Sequence, residues 1–320
     1  MLSYVIRRIL ISIPVIVVAS VALFWFVSVS TDPTARLRNS RDPGLVTRER
    51  ERLGLDDPLV VQYKNWAGDF ARGDWGESFI TRRAVSTAIR DALWNTIQLI
   101  VWAVLICVLL AVLIGVYSAV RQYSALDYTF TFGALIGLSI PTFFFGLLAI
   151  HFLTTELRSW LGWEDPLFYS VGLHSPGQSG FIDYLRHAAL PVLTLSVQLV
   201  AGWSRYQRAS MLDVMSADYI RTARAKGVPR RKVVFKHALR NALIPLTTVM
   251  AVDIGALFGG LIVTEVIFAW PGMGRLFTQA LLQGDTAIVL PWMIVTAVFI
   301  IAFNLLADVL YGVLDPRIRY

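Results

Sequence analysis

Five stretches of the sequence contain no Asp, Glu, Lys or Arg, and a sixth contains a single Asp. They cover positions 9–30, 92–120, 128–155, 188–204, 241–264 and 286–307, with lengths of 22, 29, 28, 17, 24 and 22 residues. A helix rises about 1.5 Å per residue and a bilayer core is roughly 30 Å thick, so each can span, the fourth only barely. The rest of the composition agrees: 56% of residues are hydrophobic and 16% charged, with a mean hydropathy of +0.61. An ordinary water-soluble enzyme is excluded, and the expectation is an all-α, polytopic membrane protein with six transmembrane helices.

The first stretch follows Arg7 and Arg8 as a signal peptide would, but 22 uncharged residues exceed the roughly 7–15 of a signal core, which predicts a retained helix. Basic residues orient the chain. The loop 31–91 is long and nearly balanced, with 11 basic and 10 acidic residues, and long loops translocate largely regardless of charge. With that loop set aside, basic residues divide 15 to 3 in favour of the side holding both termini, although Arg36, Arg38 and Arg41 weaken the count. Both termini are expected in the cytoplasm. The organisation expected is 1–30 as N-terminus and first helix, 31–91 as an extracytoplasmic subdomain, and 92–320 as a core of five spans. In the subdomain, segments 58–66 and 85–93 are amphipathic, and Trp66, Phe70, Trp75 and Phe79 need burial.

The cytoplasmic loop 205–240 carries ten basic and two acidic residues, net +8 against +7 for the whole chain. Attraction to anionic lipid headgroups accounts for such a loop, whereas nucleic-acid binding would need more aromatic residues for base stacking. Within it lies a helix bounded at both ends: Ser216 can cap, Asp218 sits in the first turn, and Gly227 with Pro229 stops the helix. About 11 residues are marginal alone in water, so lipid, the membrane domain or a partner's groove should hold it.

The peptide Asp218-Tyr219-Ile220-Arg221-Thr222-Ala223-Arg224-Ala225-Lys226-Gly227 resembles the coupling segment of permease subunits of bacterial ABC importers, in the form seen in dipeptide and oligopeptide permeases. Three further motifs extend the resemblance along the chain. Leu53-Gly54-Leu55-Asp56-Asp57-Pro58 with Gln62-Tyr63, followed by Gly73-Asp74-Trp75-Gly76-Glu77-Ser78, is similar to the first external loop of these permeases. Thr264-Glu265-Val266-Ile267-Phe268-Ala269-Trp270-Pro271-Gly272-Met273-Gly274-Arg275 is similar to their last external loop, and Asp315-Pro316-Arg317-Ile318-Arg319 to their tail. One departure stands out: the general coupling motif opens Glu-Ala-Ala where this sequence has Arg221-Thr222-Ala223.

The resemblance implies a type I ABC importer permease fold that takes up di- or oligopeptides across the bacterial cytoplasmic membrane by alternating access. It implies three kinds of partner besides membrane lipid: a homologous second permease, two ATPase subunits, and an extracytoplasmic peptide-binding protein. It places ATPase docking on Tyr219, Ile220, Arg221, Thr222, Ala223, Ala225 and Gly227, and a gate region on Glu265, Pro271, Gly272 and Gly274. The same permease type also serves nickel, glutathione and sugar importers.

No Gly-x-x-x-x-Gly-Lys-Ser/Thr phosphate loop occurs, so ATP and Mg would belong to partner chains and this chain is expected to be non-catalytic, with no cofactor or metal of its own. Cys107 has no partner for a disulfide and reads as a small buried residue; His151 and His187 read as polar structural residues. Asp253 lies within an apolar span and should face the interior, either lining the pathway or bonding a neighbouring helix. Gly255, Gly259 and Gly260 permit close helix approach, and Pro141, Pro191, Pro245 and Pro291 suggest kinks. The rival readings are an ATP-independent channel or secondary transporter, which would leave the loop helix unexplained, and an intramembrane enzyme, for which Asp253, His151 and Cys107 are too scattered.

Overall fold

A computed structural model describes residues 2–30, 32, 34 and 44–314. The tail motif 315–319 and the arginines at 36, 38 and 41 lie outside the described residues. Helix α1 (Leu2–Ser30) is followed by two short helices, α2 (Gly44–Arg52) and α3 (Leu59–Arg72), before the long α4 (Val85–Val120). Next come α5 (Ala125–Ser139), α6 (Thr142–Ala149), a π-helical turn at Ile150–Glu156 and α7 (Leu157–Leu161). After α8 (Phe181–Ser216) and α9 (Asp218–Ala225), α10 (Arg230–Lys232) runs through a π-helical turn at Val233–Ala238 into α11 (Leu239–Gly260). The chain closes with α12 (Ile262–Ile267), α13 (Met273–Gln283) and α14 (Thr286–Leu314).

Five helices are long and apolar enough to cross a bilayer, and the count is six when the bent pair formed by Ala125–Ser139 and Thr142–Leu161 is taken as one broken span. This third span is broken, not continuous, with a 105° bend between its halves. The cause is Pro141, whose ring disfavours helical backbone at the residue before it, and Ile140 is extended at φ −81°, ψ 124°. Gln198 of α8 stitches the break: its Nε2 donates to the Ile140 carbonyl at 3.1 Å, and its Oε1 accepts from Thr142 Oγ1 at 2.9 Å. Polar backbone in a membrane needs such an internal partner. Pro191, Pro245 and Pro291 lie inside unbroken helices.

The fourth span is much longer than its uncharged 17 residues suggest. Thirty-six residues of α8 extend about 54 Å, so the helix projects beyond a 30 Å core. Counting uncharged residues missed this length because charged residues inside the helix, Asp183 and Arg208 among them, have partners. Arg208 of α8 holds Asp127 bidentately, Nε to Oδ1 at 2.9 Å and Nη2 to Oδ2 at 3.0 Å, pinning the start of α5. At the other end, Asp183 accepts from Ser175 Oγ at 2.7 Å and Ser175 N at 3.0 Å and lies 2.9 Å from His174 Nδ1, while His187 Nδ1 meets the Asp183 carbonyl at 2.8 Å.

The centre of the bundle is the α4–α8 pair, with α11 and α14 packed beside it and α1 on the outer side of α14. Small residues set the spacing. A Cβ on Gly115 of α4 would lie 2.6 Å from Gln207 Cβ of α8, and one on Gly255 of α11 would lie 2.9 Å from Phe303 Cβ of α14. Cys107 is fully buried at this seam.

The segment 44–84 is anchored rather than loose. Gln62 Nε2 donates to the carbonyls of Leu55 and Asp57, which closes the turn that Gly54 opens at φ +61°. From α3, Trp66 and Phe70 form a run of ring contacts from Phe24 of α1 to Trp75, with centroid distances of 5.5, 5.4 and 4.8 Å. Segment 85–93, which reads as a separate amphipathic piece, is the first turns of α4.

Candidate functional site

Two elements carry the candidate functional residues, one at each end of the bundle. The first is α9. Its N-terminal neighbour is Ala217, extended at φ −66°, ψ 148°, and Ser216 turns away to donate to the Asp213 carbonyl; the expected Ser216 cap is not formed. Asp218 does occupy the first turn. The helix stops where expected, with Gly227 at φ +74°, its N–H on the Arg224 carbonyl and the Val228 N–H on the Ala223 carbonyl.

What seats α9 is one side chain. Ile220 is completely buried in a cluster with Met211, Val233, Val234, Ala238 and Ala242, with Ala223 half-buried beside it. Burial of an isoleucine contributes about 1.5–3 kcal/mol, enough to hold a helix too short to persist alone. Tyr219 adds a hydrogen bond, its hydroxyl accepting from Asn241 Nδ2 at 2.9 Å. Of the seven coupling residues, Ile220 and Ala223 thus face the chain's own core. Tyr219, Arg221, Thr222, Ala225 and Gly227 remain exposed. This redistributes the roles implied by the resemblance: Ile220 is unavailable to a partner and serves as the anchor.

The second element is the α12–α13 turn. Glu265 is fully buried, and its carboxylate sits over the start of α13. Oε2 accepts from the amides of Gly274 at 2.6 Å and Arg275 at 3.2 Å, while Oε1 accepts from Thr96 Oγ1 of α4 at 2.6 Å. Thr96 Oγ1 in turn accepts from Met273 N at 2.8 Å. The glycines follow from this geometry. A Cβ on Gly272 would lie 2.3 Å from Glu265 Oε1, and one on Gly274 would lie 2.4 Å from Ile262 Cα. Burial pushes the Glu265 carboxyl up to about 7, against the opposing pull of Thr96 and the two amides.

Trp270, also fully buried, donates through Nε1 to the Asn95 carbonyl at 3.1 Å, and Asn95 Nδ2 returns a bond to the Pro271 carbonyl at 2.9 Å. Trp292 of α14 donates to the Met273 carbonyl at 2.7 Å. Pro271 itself is exposed, unlike Glu265, Gly272 and Gly274. The turn is therefore a clamp joining α4, α13 and α14.

Asp253 joins neither element. Its Oδ2 accepts from Trp203 Nε1 at 2.7 Å, a bond between α11 and α8. His151 is exposed on the π-helical turn, 3.8 Å from Glu156, and His187 is buried. Among the described residues, no group of three or more His, Cys, Asp or Glu is arranged to hold a metal ion.

Asp285 is a residue that sequence reasoning passed over. Lying 1% exposed between α13 and α14, it accepts from Ser78 Oγ at 2.6 Å, Phe79 N at 3.2 Å and Ile80 N at 3.3 Å. It thereby fixes the end of the Gly73-to-Ser78 motif to the α13–α14 turn. Gly284-Asp285-Thr286, a helix-stopping glycine followed by an acid at a new helix start, was the available signal.

Comparison with known proteins agrees with this architecture. The family described as binding-protein-dependent transport system inner membrane component matches residues 111–320, and its N-terminal companion family matches 1–100. The oligopeptide transport system permease protein AppB of Bacillus subtilis is 39% identical, and the glutathione transport system permease protein GsiC of Escherichia coli K12 is 38% identical, each over the full length of both chains. The dipeptide transport system permease protein DppB of Alkalihalophilus pseudofirmus is 36% identical, also over the full length of both. Among solved structures, an inward-facing form of the MetNI methionine ABC transporter superposes with a TM-score of 0.53 at 16% identity, covering 71% of this chain and 96% of that one. At that identity the likeness concerns the fold. With both family regions matched in order and full-length relatives well above 30% identity, this chain belongs to the inner-membrane permease components of binding-protein-dependent transport systems.

Proposed function

We propose that this chain is the peptide-conducting permease subunit of an ATP-driven importer, with the ATPase docking on the exposed face of α9. The observation that carries the proposal is the construction of α9. It is a short helix with defined ends, seated by Ile220, that presents Tyr219, Arg221, Thr222 and Ala225 outward at the end of the long α8. A push on that face reaches the bundle through α8, which is continuous from 181 to 216. Full-length relatives named for oligopeptide, dipeptide and glutathione transport support a short peptide as cargo, since glutathione is itself a peptide.

In this reading both termini are cytoplasmic, and the segment 31–91 with the clamp at 265–275 faces the extracytoplasmic binding protein. A second homologous permease completes the pathway, and two ATPase subunits bind the two α9 helices. The chain performs no covalent chemistry; closure of the ATPases shifts a two-state equilibrium between inward-facing and outward-facing arrangements.

The test is affinity purification of the tagged chain in mild detergent, comparing wild type with Thr222→Trp plus Ala225→Asp. Both positions are exposed, so the variant alters the docking face without disturbing the Ile220 seat. Wild type is expected to bring down an ATPase and a second permease, and the variant to keep the permease while losing at least nine-tenths of the ATPase. Wild type purifying alone, with no nucleotide-binding partner, would overturn the proposal. Peptide uptake by reconstituted vesicles, compared with uptake of nickel and a sugar, checks the cargo.

A further inference from the structure

A groove of about 760 Å³ opens between the end of α4, the start of α5 and the π-helical turn leading into α11. Its walls are apolar, with Val116, Phe130 and Phe235 among them, and its rim carries Arg121, Arg230 and Arg231. No acidic side chain lines it. The nearby Asp127 is held bidentately by Arg208 and does not neutralise the rim. Arg230 donates one bond, to the Val120 carbonyl at 3.3 Å; Arg121 lies 5.6 Å from the Tyr117 ring centroid. Arg231 has no hydrogen bond or ion pair among the described residues.

The groove's position is as specific as its lining. The uncharged stretch 92–120 ends at Arg121 and the next begins at 128, so the floor lies at the level of hydrocarbon and the rim at the level of headgroups. An apolar floor beneath three guanidinium groups fits a molecule with an acyl chain and a phosphate. Free inorganic phosphate would leave the floor uncovered, and a zwitterionic lipid would bring its own cation against the rim. We infer that this groove binds an anionic phospholipid of the cytoplasmic leaflet, an acyl chain lying along the floor and the phosphate held by Arg121, Arg230 and Arg231. Arg230 and Arg231 begin α10, three residues after Gly227, so the bound lipid would brace the base of α9. This inference rests on the orientation proposed above, but not on the identity of the cargo or the ATPase.

The experiment is native mass spectrometry of the purified complex after incubation with phosphatidylglycerol, phosphatidylcholine of the same acyl chains, or inorganic phosphate. Wild type is expected to retain phosphatidylglycerol at least five-fold better than phosphatidylcholine. Arg121→Gln, Arg230→Gln and Arg231→Gln together should remove that preference. The control, Lys232→Gln, Lys236→Gln and Arg240→Gln, removes equal charge from outside the groove and should leave it within two-fold. Leu126→Trp, which narrows the groove with every arginine in place, should also lower retention. Equal retention of the two lipids by wild type, unchanged retention in the rim triple, or displacement of the lipid by millimolar phosphate would each overturn the inference. Loss of the co-purifying ATPase from the rim triple with lipid retention unchanged would assign the groove to a protein partner instead. Labelling Tyr123→Cys in a Cys107→Ser background with an impermeant reagent, in cells and in inverted vesicles, tests the orientation separately.

Discussion

Glu265 shows how much can rest on one side chain. A buried carboxylate that accepts two amides and a hydroxyl fixes the α12–α13 turn, and the approach is possible because Gly272 and Gly274 carry no Cβ. Gly274→Ala is expected to cost about 1–3 kcal/mol through overpacking against the Ile262 backbone, read as a lower apparent Tm of the purified complex with unchanged helix content. Thr96→Val strands the Met273 amide and removes a donor to Glu265, and should cost about 1–3 kcal/mol in the same measurement. The pH dependence follows from the direction of the Glu265 shift. Since burial lifts the native carboxyl to about 7, its contribution to stability is fully present below the unfolded pKa of about 4.3 and is lost as pH rises through about 7. Glu265→Gln should abolish that slope between pH 4.5 and 7; an identical slope in the variant would assign it to another group. None of this network was legible in the sequence. The motif marked Glu265, Pro271, Gly272 and Gly274 as a set, but Thr96 lies 169 positions from Glu265 and carries no local sign of the contact.

At the scale of elements, the sequence was most informative where structure depends on local chemistry. Both ends of α9 could be placed approximately from Asp218 and from Gly227 with Pro229, because caps and stops act over a few residues. The Ser216 cap failed because an extended residue, Ala217, separates α8 from α9 and leaves Ser216 in the last turn of α8. The length of α8 could not be read from uncharged stretches, since it depends on a partner in another helix, Asp127 for Arg208; the break in the third span was marked locally by Pro141, but the Gln198 bond that satisfies the Ile140 carbonyl was not. Two predictions belong here. Ile220→Asp buries a charge where Met211 and Val234 now pack, and should unseat α9, seen as fast amide exchange across 218–225 while α8 stays protected. Asp285→Ala should free Ser78 and the amides of Phe79 and Ile80, raising proteolytic nicking within 73–84 at least several-fold over wild type.

For the whole molecule, the tightest seam lies between α4 and α8, where Gly115 brings the two backbones close over Gln207. Gly115→Leu should therefore destabilise the entire complex by about 1–3 kcal/mol or more, read as a lower apparent Tm, because no loop can absorb the shift. The six crossings and the polytopic class were legible because the bilayer reads hydrophobicity over about 20 residues, a property that composition alone carries. The arrangement of the crossings was not, since helix pairing in lipid depends on small residues and single polar contacts, here Gly115, Gly255 and the Trp203–Asp253 bond.

The stitched break at Ile140 has a consequence in time. Ribosomes deliver the chain in order, and Gln198 emerges 58 residues after the carbonyl it satisfies. At roughly 5–20 residues per second that is a wait of about 3–12 s. During it, the Ile140 carbonyl lacks the partner it has in the folded chain. The bond that stitches the third span is thus available only once Gln198 of the fourth has been synthesised.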